Sequence, residues 1–138
     1  MDLRNICREN PADTHTFLWF IAGDNQLDPY ALQLIQDPNN QRYLSVASVW
    51  EITIKSSLGR LTVPTPPSTL IRDHVWANAI DLLAITSEQL DTLHNLPYHH
   101  KDPFDRLIIS QAIHEGMTLL TKDQDISAYQ VQLAWSSA

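Results

Sequence analysis

Apolar positions along this chain fall into two alternating rhythms. One repeats every three to four residues, as one face of a helix does, and the other is a short unbroken run of strand length. THTFLWFIAG places Phe17, Leu18 and Ile21 on one side, with Asp13 or Thr14 as its cap and Gly23 at its end. YALQLIQ, after Asp28-Pro29, is a second short helix, and Asp37 to Asn40 form a turn. Arg42 to Val46 reads as a strand, followed by a helix through VWEITIKSSL that Ser45 or Ser48 caps and Gly59 stops. Thr62 to Pro67 (TVPTPP) is an extended linker, because its prolines fix the backbone and remove donors. Ser68 starts a helix whose stripe is Leu70, Ile71, Val75 and Ala79. Asp81 to Ile85 is a buried-looking strand, and Thr86 or Ser87 caps SEQLDTLHNL.

After a polar loop, Pro97 to Lys101, Asp102 is the expected N-cap and Pro103 the first helical residue. Leu107, Ile108, Ala112 and Ile113 follow as apolar positions, and Gly116 closes the helix. Met117 to Thr121 is a strand, Gln124 to Tyr129 a helical turn, and Val131 to Trp135 an edge strand. Helices and strands alternate without internal repeat, so the expected fold is α/β: one domain over residues 1–138, a mostly parallel sheet and helices on both faces.

A chain of 138 residues with 43% apolar and 18% charged residues has an ordinary globular composition. It contains no apolar run of the ~20 residues that a membrane span needs. Neither a signal-peptide pattern nor a cysteine pair is present, since Cys7 stands alone, which fits a reducing cytoplasm. The formal charge of −7 argues against broad nucleic-acid binding through Lys and Arg. It is compatible with a nuclease whose carboxylates hold divalent cations, because the bound ion reverses the local field.

Four carboxylates occupy the same kind of position. Asp13 precedes a helix, Glu51 lies early in one, Asp105 falls in a first turn and Asp123 follows a strand. In a parallel sheet all strand-to-helix junctions lie along one edge, where ligands bind. Oxygen donors without cysteine favour Mg²⁺ or Mn²⁺, which suits metal-assisted phosphodiester hydrolysis. Each group also has a structural reading: Asp13 and Asp102 as caps, Glu51 and Asp105 as partners of helix dipoles, Asp123 and Asp125 as turn residues.

The blocks DTHTFLW (Asp13 to Trp19), LSVASVWEITIKSSLGRL (Leu44 to Leu61), LPYHHKDPFDRLIISQA (Leu96 to Ala112) and LLTKDQDISAY (Leu119 to Tyr129) resemble the PIN-domain toxins of the VapC type. The resemblance runs in order from about residue 13 to the end. It implies a three-layer α/β/α fold and Mg²⁺- or Mn²⁺-dependent RNA cleavage, with Asp13, Glu51 and Asp105 on the metal and Asp123 assisting. It leaves Asp102 as a cap. It implies a homodimer and an inhibitory antitoxin as partners and RNA as substrate. Thr14, Ser48 and Thr121 lie beside these carboxylates and are read either as supporting hydroxyls or as caps and turn residues. His99-His100-Lys101 is either a solvated loop or a phosphate contact. Lys55 is placed to pair with Glu51 or to meet substrate, and Arg106 to bind phosphate or pair with Asp102.

The segment before Asp13 departs from this pattern. Arg8-Glu9-Asn10-Pro11-Ala12 stands where an apolar central strand is expected, and proline lacks the ladder N–H. The expectation is therefore a shortened first strand, with Leu3 to Cys7 as its remnant, or a segment outside the sheet. Such a defect would suit a PIN-fold protein that binds RNA or a partner without cleaving. A phosphatase or receiver-type domain is disfavoured, since no strand delivers an aspartate nucleophile in the usual setting.

Overall fold

Five parallel strands form a single sheet in the order β3-β2-β1-β4-β5, in a computed structural model that describes residues 9–63 and 66–135. β1 (Glu9–Ala12) leads into α1 (Thr14–Ala22) and α2 (Pro29–Gln36); β2 (Gln41–Ser45) leads into α3 (Val46–Ser57). α4 (Pro67–Leu70) passes into a wide π turn (Ile71–Val75) and a 3-10 turn (Trp76–Asn78) before β3 (Asp81–Leu83). α5 (Ser87–His94) and α6 (Pro103–Glu115) precede β4 (Thr118–Leu120), a 3-10 turn (Gln124–Ala128) and β5 (Gln132–Ala134). No helix among the described residues is long and apolar enough to cross a membrane.

Two-residue alternation along the strands divides the interior into two cores. Leu44, Leu82, Leu120 and Ala134 face one core, which they share with Phe17, Ala31, Ile35, Ile52, Leu70 and Val75. Tyr43, Leu83, Leu119 and Leu133 face the other, against Leu107, Ile108, Ile109 and Ala112 of α6. The architecture is thus the three-layer α/β/α expected.

The first strand corrects the sequence reading. Glu9–Ala12 is itself the central strand, in register with Gln41 to Leu44 of β2, and only Ala12↔Leu120 bridges it to β4. Period-two geometry explains how proline is tolerated. The Asp13 N–H donates to the Leu120 carbonyl at 3.1 Å, so the nitrogen of Pro11, two residues earlier, also faces β4. The missing donor therefore falls on the side where the ladder is already short, and pairing with β2 is untouched. The strand remnant expected over Leu3 to Cys7 lies outside the described residues.

Helix ends follow local chemistry. Asp13, Asp28, Ser45, Thr86 and Asp102 accept backbone N–H groups as N-caps, and Thr86 completes a capping box with Gln89. Gly116 ends α6 at φ 67°, which lets Met117 N–H reach back to the Ala112 carbonyl at 2.8 Å. The stripe expected over Ser68 to Ala79 is not one α-helix. Leu70 and Val75 are both buried, and five-residue π spacing brings them to one face; Ala79 turns out at φ 56°. Along α3 and its C-cap, by contrast, Val46, Trp50, Ile54 and Leu58 recur every fourth residue as an exposed apolar stripe.

Candidate active site

Strand order reverses between β1 and β4, because the chain steps outward from β1 through β2 to β3 and later resumes on the other side. A crevice opens at such a switch point, beyond the carboxyl ends of the strands. Asp13 follows β1 there and Thr121 follows β4. The Thr121 hydroxyl donates to Asp13 Oδ2 at 2.5 Å and the Thr16 N–H to Oδ1 at 2.8 Å, so both oxygens of this carboxylate are fixed in direction. Thr16 also donates its hydroxyl to the Leu120 carbonyl at 3.1 Å, tying α1 across to β4. Nothing in the sequence singles out Thr16 beyond its position three residues after Asp13.

Glu51 enters from α3. It is 4% exposed, pairs through Oε2 with Lys55 at 2.7 Å, and leaves Oε1 buried without a hydrogen-bond partner. An orphaned carboxylate oxygen is costly unless something outside the present set of groups satisfies it. The hydroxyls of Thr14 and Ser48, both buried, meet at 2.9 Å and pin the start of α1 to α3.

Asp105 comes from the first turn of α6, aimed by the Asp102 cap, whose Oδ1 accepts from Phe104 N–H at 2.8 Å and Asp105 N–H at 3.0 Å. Burial pushes the Asp105 carboxyl up to about 6; the charges of Asp102, Asp13 and Glu51 add to that push, and His100 opposes it. Residues distant in sequence therefore act on one carboxyl. Asp123 stands at the rim, 41% exposed. Its Oδ1 accepts from Asp125 N–H at 3.0 Å and its Oδ2 meets His100 Nε2 at 2.9 Å, a contact that raises the histidine's pKa.

Every member of the set except Asp105 is engaged by a protein donor. Among the described residues no three His, Cys, Asp or Glu side chains form a ready-made cation site. The donor set is nevertheless right for a hard divalent cation: carboxylate oxygens only, one of them orphaned and another carboxyl held in mutual repulsion.

The basic candidates separate. Lys55 is the i, i+4 partner of Glu51. His100 is the partner of Asp123, while Lys101 is exposed. Arg106 is corrected, since it neither pairs with Asp102 nor faces solvent. It is 5% exposed, donating to the carbonyls of Leu96 at 3.1 Å and Pro97 at 2.8 Å and lying near the Tyr129 hydroxyl at 3.5 Å. Tyr129, which no sequence signal marked, also accepts the N–H groups of His99 at 2.9 Å and His100 at 2.8 Å. Together Arg106 and Tyr129 fix the loop that carries His100.

A family model described as PIN domain matches residues 12–132. No curated protein sequence matches the chain significantly. Among solved structures, VapBC2 from Rickettsia felis bound to a DNA fragment from its promoter is similar with a TM-score of 0.68 at 15% identity, over 93% of this chain and 98% of that one. VapBC-1 from nontypeable Haemophilus influenzae is similar with a TM-score of 0.62 at 16% identity, over 91% and 96%. FitAB bound to an IR36 DNA fragment gives 0.61 at 16% identity, over 91% and 93%. At these identities the likeness speaks for the fold.

Proposed function

The chain belongs to the PIN-domain family, and from that footing we propose that it is a divalent-cation-dependent endoribonuclease acting as the toxin of a toxin–antitoxin pair. The observation that carries this reading is the buried Glu51 Oε1, a carboxylate oxygen with no hydrogen-bond partner; burial and the charges of Asp102, Asp13 and Glu51 raising the Asp105 carboxyl point the same way. Asp13, Glu51 and Asp105 would hold Mg²⁺ or Mn²⁺, with Asp123 beside them. When bound, such a cation neutralises charge that builds on the phosphate oxygens and acidifies water for attack.

The chain's own residues prepare that event. Thr121 and the Thr16 amide hold the Asp13 carboxylate in one orientation. Lys55 occupies one oxygen of Glu51 and leaves the other directed and unpaired. His100 holds Asp123 at the rim, where a carboxylate can accept a proton from the attacking water.

The paired names of the similar structures support a small antitoxin protein as partner, and the acidic charge suits a basic inhibitory segment. The exposed stripe of Val46, Trp50, Ile54 and Leu58 supports a partner-covered face, whether in a homodimer or under the antitoxin.

Purified chain incubated with labelled single-stranded RNA is expected to cut internally in Mg²⁺ or Mn²⁺. Chelation by EDTA is expected to lower the rate to the uncatalysed background, and re-addition of the metal to restore it. Cutting that persists in EDTA would refute the cation requirement. No cutting in either metal, with no calorimetric heat of Mg²⁺ or Mn²⁺ binding, would leave the second reading: a PIN-fold binder whose carboxylates stay tied to protein donors. Expression of the chain alone should arrest growth and antitoxin co-expression should relieve it.

A further inference from the structure

The loop before α6 carries a feature that the carboxylate site does not use. Tyr98 is 84% exposed, the most exposed large hydrophobic side chain among the described residues, yet it is not loosely held. The buried guanidinium of Arg106 lies 3.8 Å from its ring centroid, so one face of the ring is covered by a cation and the other is open. Arg106 is in turn anchored by the Leu96 and Pro97 carbonyls, and the following amides by the Tyr129 hydroxyl. The plate is thus pre-ordered from both sides. Leu93, His94, Tyr98, Lys101, Pro103 and Arg106 line a cleft of about 350 Å³ that opens beside it. That lining holds one exposed cation, Lys101, and a histidine, with the Arg106 charge buried beneath the ring and no acid, on a chain of formal charge −7. A ring set for stacking beside a local basic patch matches one unpaired base and its phosphate.

We propose that Tyr98 is the stacking platform of a subsite for a nucleotide flanking the cleaved bond in single-stranded RNA, with Lys101 supplying the phosphate contact. The inference rests on the nuclease reading for its choice of ligand, but its residues lie outside the carboxylate set. Arg106 connects the two: it adjoins Asp105 in α6 and packs under the platform, so the base is held at a fixed offset from the acids. Stacking accepts any base face, and the subsite therefore selects unpaired over paired RNA rather than one sequence over another.

The test measures binding apart from cleavage. In an Asp105→Asn background with Mg²⁺, a fluorescently labelled single-stranded RNA is titrated and its anisotropy followed. Tyr98→Ala is expected to weaken binding about 10- to 100-fold, Tyr98→Trp to restore it, and a blunt duplex to bind without regard to residue 98. Melting temperatures of the variants serve to separate stacking from support of the loop. Equal RNA affinity for all three, or a loss that Trp fails to rescue, would overturn the proposal; so would a Tyr98→Ala variant that binds RNA normally but no longer binds a protein antitoxin. Wild-type cleavage is assayed in parallel. Intact cleavage with residue-98-independent binding sinks the subsite alone, whereas Tyr98-dependent binding without cleavage sinks the nuclease and leaves the subsite. Neither binding nor cleavage sinks both.

Discussion

Asp105→Asn is expected to slow cation-dependent RNA cleavage about a thousandfold or more and, in the same protein, to raise the stability of the metal-free fold at neutral pH. Both effects come from one local conflict. The cap at Asp102 and the first turn of α6 place the Asp105 carboxyl where a helix dipole favours an anion. Burial and the carboxylates of Asp102, Asp13 and Glu51 outweigh that preference and raise its pKa to about 6. The unfolded chain releases this proton near 4 and the native one near 6, so between those values the native state binds more protons and stability falls as pH rises. Above about 6 the penalty is complete. Two units correspond to about 3 kcal/mol at most; partial exposure and relaxation of the neighbours bring the expected gain on neutralisation to about 1–2 kcal/mol. Urea unfolding in EDTA at pH 4.5 and pH 7.5 reads it directly. The variant should gain at the higher pH and little at the lower. An asparagine that destabilises at pH 7.5 would show that the carboxylates are not in repulsion.

The second large effect lies behind the site. Arg106→Leu is expected to destabilise the fold by about 3 kcal/mol, lowering the melting temperature by about 10 °C in calorimetry. Leucine fills part of the volume but leaves the Leu96 and Pro97 carbonyls without their donor and the Tyr98 ring without its support. Lysine would not repair it, since a single ammonium cannot present the fork that reaches two carbonyls. A leucine variant within about 0.5 kcal/mol of the parent would mean that water satisfies those carbonyls. Activity should fall as well, because the same loop sets His100 against Asp123.

The contrast between these two residues shows what the sequence disclosed. Asp105 was legible because caps, proline and glycine act locally: Asp102, Pro103 and Gly116 bound α6 wherever it sits in the fold. The same holds for Asp13 and Gly23 around α1. Arg106 was misread because an arginine beside an acidic helix start looks available, and only the folded path of residues 96–97 supplies the carbonyls that bury it. β1 failed for a different reason. Polar residues and proline argue against a central strand when judged singly, but which side of the strand lacks its donor depends on its neighbours. The break after Leu70 is likewise tertiary, since buried positions at five-residue spacing form one face only if the helix widens. That Asp13, Glu51 and Asp105 could meet was an expectation from the parallel alternation, whereas the supporting contacts of Thr16 and Tyr129 had no signal in the sequence.

The proline in the central strand also sets how the sheet is expected to breathe. With four register pairs joining β1 to β2, three joining β4 to β5 and one between β1 and β4, the sheet is a three-strand slab and a two-strand slab meeting at a weak seam. Asp13 belongs to one slab and Thr121 to the other, so the crevice spans the seam with the fewest register pairs. A cation held by groups from both sides would act as a rivet. Amide exchange should report it: Mg²⁺ is expected to slow exchange of the Asp13 N–H, which crosses the seam to Leu120, more than that of Leu44 within the larger slab.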